Sequence, residues 1–71
     1  MSYEHYLGIF YNIRDVINFN IARHHRANLC KLLSVVLYLI NRYYRHFGDS
    51  HTVLKEAYCR LADKIRAELS A

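Results

Sequence analysis

The sequence predicts an all-α fold, and three observations carry that prediction. The chain has no proline and only two glycines, Gly8 and Gly48, in 71 residues, too few breakers for the many tight turns of an all-β domain. Apolar residues recur at three- and four-residue steps over most of its length. Hydrophobic residues make up 54% and charged residues 23%, a composition that forms a core rather than a disordered tail. The expected architecture is a small bundle of three helices, or a long broken helix folded against a shorter one as a helical hairpin. Residues 1–71 read as a single helical domain, with no repeat, low-complexity tract or linker.

The first helix is expected over about residues 3–22. Ser2 can cap it, and Tyr3, Tyr6, Leu7, Phe10, Ile13 and Ile17 form one face. Gly8 falls on the opposite, polar face, where its cost is one of propensity and leaves no hole in a core. Phe19 projects from the polar side, so the helix should bend or end between Asn18 and Arg26. Extending the Tyr3, Phe10, Ile17 register by sevens reaches His24 and Lys31, out of phase with the next apolar seam. The basic cluster Arg23 to Arg26 is expected to close this helix, because cations favour a helix C-terminus.

The second helix is expected over about residues 28–47. Leu29, Leu33, Val36, Ile40, Tyr43 and Phe47 make a heptad seam, and Gly48 follows as a C-terminal stop. Lys31, Ser34, Tyr38, Asn41, Arg42 and Arg45 occupy a polar arc of about 100°, and most of the remaining circumference is apolar. The third helix, about residues 51–69, is capped by Asp49 or Ser50 in this reading. It buries Leu54, Tyr58, Leu61, Ile65 and Leu69 beneath a solvated face of mixed charge.

A helix at the edge of a monomeric bundle needs one buried stripe, whereas the second helix has apolar flanks on both sides of its seam. The first helix adds a surplus of its own in Ile9, Val16 and Phe19. Below roughly 80 residues, oligomerisation is a common way of enlarging a small core. The expectation is a C2 homodimer completed by Leu29, Leu33, Val36, Leu37, Ile40 and Tyr44.

The net charge of +4 is unevenly placed. Residues 23–46 hold Arg23, Arg26, Lys31, Arg42 and Arg45 with no acidic residue, whereas both flanking segments are nearly balanced. With Tyr38, these five cations form a candidate basic stripe for a partner.

Chemistry has little foothold. His24 and His25 are adjacent, and His46 and His51 flank a turn; none has the spacing that places two imidazoles on one metal ion. Cys30 reads as a buried small hydrophobe and Cys59 as a surface thiol; they form no CxxC. No glycine-rich phosphate loop, nucleophile elbow or paired-carboxylate pattern occurs. An enzyme, a metal and a cofactor are therefore not expected. The sparse cysteines and the absence of a secretory leader pattern suggest the cytoplasm. The longest apolar run, residues 32–40, is too short to span a bilayer. The functional expectation is a protein-interaction module that binds itself and a larger protein with an acidic surface, as an adaptor, anti-activator or inhibitor of the type phages and plasmids encode. The alternative is a small nucleic-acid-binding transcriptional regulator using the 23–46 stripe.

Overall fold

The computed structural model describes residues 2–71. Three α-helices follow one another: α1 (Tyr3–Ala22), α2 (Arg26–Phe47) and α3 (Thr52–Ser70). They pack into a bundle of 34 × 19 × 17 Å, with α2 and α3 making the most extensive contact. Helices 1 and 2 are separate, and among the described residues there is no strand.

Each helix forms for a local reason. Ser2 caps α1 as its sequence position implies, its Oγ accepting the His5 N–H at 3.2 Å. Gly8 is exposed, with open space where a Cβ would stand. At the other end, His24 adopts φ +55°. The His24 and His25 N–H groups donate to the Ile21 and Asn20 carbonyls, satisfying acceptors left free by the last turn. The basic cluster does not close α1 as expected. Arg23 is only its C-cap, and Arg26 opens α2, which begins two residues earlier than residue 28. The reason is tertiary. The Arg26 guanidinium crosses to the Leu69 carbonyl at 2.5 Å, so its charge serves the C-terminus of α3. His24 pairs with Glu68 at 3.4 Å beside it.

Gly48 ends α2 at φ +60°, its N–H donating to the Tyr44 carbonyl at 2.7 Å. That backbone conformation is strained for any residue with a Cβ. The α3 cap also differs from expectation: neither Asp49 nor Ser50 takes the position. His51 does, at φ +54° and with no side-chain cap bond. Its carbonyl accepts the Tyr43 hydroxyl at 2.7 Å, and its ring packs 4.9 Å from Tyr3 and 5.2 Å from Phe47. These contacts fix the turn and outweigh a side-chain cap worth about 1 kcal/mol.

The core follows the sequence stripes. Tyr6, Ile13 and Ile17 from α1, Leu29, Val36, Leu39 and Tyr43 from α2, and Leu54, Tyr58, Leu61, Ala62 and Ile65 from α3 are buried. One end is aromatic. Tyr6 stands edge-on to Tyr43 at 5.2 Å, Phe10 edge-on to Tyr58 at 5.3 Å, and Tyr3 and Phe47 close the cluster, in the geometry favoured by the ring quadrupoles. The buried polar atoms are satisfied. Tyr58 donates its hydroxyl to the Tyr6 carbonyl. Asn20 donates to the Val16 carbonyl at 2.8 Å and accepts from Asn28 at 3.0 Å.

Burial pushes the Tyr58 hydroxyl up to about 12, with smaller contributions from Tyr6 and Tyr43, and burial raises Tyr43 as well. The folded state therefore holds these protons more tightly than the unfolded chain does. Their contribution to stability is complete below the unfolded value of about 10 and is lost as pH rises through the folded value. The unfolding free energy from urea titration should be flat from neutral pH to about pH 9.5 and fall between roughly pH 10 and 12, by a few kcal/mol at most. In Tyr58→Phe the alkaline fall should shrink.

Candidate interaction surface

Because α2 runs antiparallel to both neighbours, its circumference divides into four zones. The core seam faces inward. On the flank toward α3, Leu33, Leu37, Ile40 and Tyr44 recur at steps of four, three and four within an arc of about 60°. Leu33 and Ile40 are half-buried, whereas Leu37 is 41% and Tyr44 47% exposed. Lys55 of α3 lies 4.5 Å above the Tyr44 ring, holding that ring at the surface through a cation–π contact. Leu29 and Val36, expected at the same interface, are completely buried against this chain's own helices. They support the surface from beneath and are not part of it.

The flank toward α1 carries a second apolar strip. Val16 and Val35 are exposed and Leu32 is half-buried. Val16, Leu32, Asn20, Asn28 and Lys31 line a shallow groove there. Phe19 lies at the end of α1, exposed, with the Arg23 guanidinium 4.5 Å from its ring. The surplus read from Ile9, Val16 and Phe19 is thus surface for the last two and partial core for Ile9.

The outward zone of α2 holds the basic residues. Lys31, Tyr38, Arg42 and Arg45 share an arc of about 60° and a length of about 21 Å. The structure does not bring Arg23 and Arg26 into this group. Arg23 stacks on Phe19 at the α1–α2 turn, and Arg26 points along the other flank to α3. The expected six-residue stripe is therefore a four-residue face plus two residues tied elsewhere. Among the described residues the ion pairs are Arg14–Asp15 and Arg66–Asp63, with His24 in contact with Glu68, so no carboxylate meets Lys31, Arg42 or Arg45.

Where α1 meets the C-terminal half of α2, Tyr6, Arg42, Arg45 and His46 line an open cleft of about 240 Å³. The Arg42 guanidinium lies beside two phenol groups. Hydrogen bonding to the Tyr6 hydroxyl, then the influence of Tyr38, holds its pKa above the ordinary value. It also donates to the Tyr38 hydroxyl at 3.3 Å and lies 5.8 Å from that ring. By its spacing Tyr6 belongs only to the buried stripe of α1. A short connection between the first two helices forces them antiparallel, and that pairing brings Tyr6 to the level of Tyr43 and His46.

The cysteines are reversed from expectation. Cys30 is exposed and Cys59 half-buried, both as free thiols. Among the described residues, no three His, Cys, Asp or Glu side chains are grouped to hold a metal ion. No helix there is long and apolar enough to cross a membrane. Comparison with protein-family models, curated proteins and solved structures finds no match.

Proposed function

We propose that this chain is a small non-enzymatic helical protein-interaction module. It forms a homodimer through the α3-side flank of α2 and presents the outward basic face to a larger protein with an acidic surface, whose activity it modulates or inhibits. The observation that supports this reading is the heptad-spaced strip of exposed Leu37 and Tyr44 alternating with half-buried Leu33 and Ile40. A four-three spacing is what two helices need to pack knobs into holes, and Tyr is enriched in binding hot spots. Two copies related by a twofold axis would pair these strips antiparallel, with Leu37 and Ile40 near the axis. The cations of the outward face would remain free for a partner, where charge steers encounter and orientation. Concentration-dependent amide NMR shifts test the pairing. Dilution from millimolar to low micromolar should move resonances of residues 33–44 and leave the outer face of α3 unchanged. Shifts that do not change with concentration would count against it.

A nucleic-acid-binding regulator is a second reading, favoured by the carboxylate-free face of Lys31, Arg42 and Arg45 around the exposed Tyr38 ring. Phosphates along a backbone and a base stacked on Tyr38 would suit it. Salt titration separates the two readings. Under nucleic-acid binding, affinity for random-sequence DNA should fall steeply with salt, and Arg42→Ala with Arg45→Ala should reduce the log–log slope by about 2. Under protein recognition, no DNA binding should be measurable even at low salt.

A further inference from the structure

We propose that the cleft lined by Tyr6, Arg42, Arg45 and His46 is a binding site for a phosphate dianion, either free or as the terminal group of a phosphomonoester. Three basic side chains at positions i, i+3 and i+4 of one helix converge on it. Arg42 and Arg45, like charges at i and i+3, repel one another, and no carboxylate pairs with either arginine among the described residues. The negative end of the α2 dipole offsets part of that repulsion. An anion in the cleft would offset the rest, the two guanidinium charges outweighing the unfavourable dipole of the helix end.

The donor set fits a tetrahedral dianion better than a carboxylate. Two guanidinium groups match two negative charges and offer paired N–H donors to adjacent oxygens, and the His46 imidazole can supply a further N–H. Arg42 is already oriented, because the Tyr38 hydroxyl and ring hold its guanidinium. Tyr6 is itself anchored, with its ring buried against Tyr43 and Phe47. The site thus has one cation oriented by Tyr38, Arg42, and one exposed cation, Arg45. This inference rests on the cleft alone and does not depend on self-association.

The test is NMR titration of the intact chain with inorganic phosphate and with phenyl phosphate at about pH 8, where both are dianions. Ionic strength is held constant with sodium chloride, and dimethyl phosphate serves as the monoanionic control. Saturable shifts of the His46 ring and of the Arg42 and Arg45 side chains are expected for both dianions. Dimethyl phosphate should bind at least ~10-fold more weakly. Arg45→Gln should weaken phosphate by at least ~10-fold, and Arg42→Gln by as much, whereas Lys31→Gln on the same face should change it less than ~2-fold. Arg45 is exposed and has no hydrogen-bond or ion-pair partner among the described residues, so its replacement should leave the fold intact; circular dichroism checks both Arg45→Gln and Arg42→Gln. Binding of inorganic phosphate without phenyl phosphate would assign the site to the free ion. The reverse would assign it to an ester. Shifts that grow without saturating, equal binding of dimethyl phosphate, or equal loss in Lys31→Gln would overturn the proposal.

Discussion

Tyr58→Ala should leave the chain largely unfolded at 25 °C. Tyr58 is fully buried. Its ring packs against Phe10 and Tyr43, and its hydroxyl donates to the Tyr6 carbonyl, so one side chain joins all three helices. Removing a buried aromatic costs about 3–5 kcal/mol in lost transfer energy and residual cavity, against a total stability on the order of 5 kcal/mol for a domain of this size. Far-UV circular dichroism and urea titration read the result directly. Tyr58→Phe keeps the ring and removes only the hydroxyl. It should cost about 1 kcal/mol, since the Tyr6 carbonyl retains its helical hydrogen bond, and remain folded. A stable, fully helical alanine variant would mean that the aromatic end of the bundle does not hold the helices together.

Leu37→Glu should have the opposite profile, with little effect on folding and a large effect on association. Leu37 is 41% exposed within the chain, so a carboxylate there can reach water and thermal stability should change little. At a twofold interface the same substitution places two carboxylates near the axis, desolvated and unpaired. Self-association should weaken by at least ~100-fold. Val53→Glu, on the exposed outer surface of α3, is the matched control and should leave association unchanged. Equal effects of the two variants would indicate general surface charge rather than a specific strip.

The stripes Tyr6, Ile13, Ile17 and Leu54, Tyr58, Leu61, Ile65 were legible because a 3.6-residue period leaves one consistent face per helix, and the residues on it are buried. The break near Phe19 was legible for the same reason: two seams out of register cannot share one straight helix. The turns were harder to read. Arg26 and His51 take their positions through Leu69, Tyr43, Tyr3 and Phe47, contacts made across the bundle that no local propensity encodes. The interaction surface was half legible. The width of the apolar arc on α2 marked excess surface. Which of its residues are covered depends on where α1 and α3 lie, and the packed bundle buries Leu29 and Val36 while leaving Leu37 and Tyr44 exposed. Likewise, the net charge of residues 23–46 was plain in the sequence, but only the packing separates Lys31, Arg42 and Arg45 from Arg23 and Arg26. The Tyr6 cleft required knowing that α1 and α2 are antiparallel and which of their residues lie level.

Sedimentation equilibrium of the unmodified chain at micromolar concentration tests the proposed self-association most directly. The expected result is a species of twice the 8.5 kDa chain mass, shifting toward the single chain in Leu37→Glu; a single 8.5 kDa species across the whole concentration range would contradict self-association.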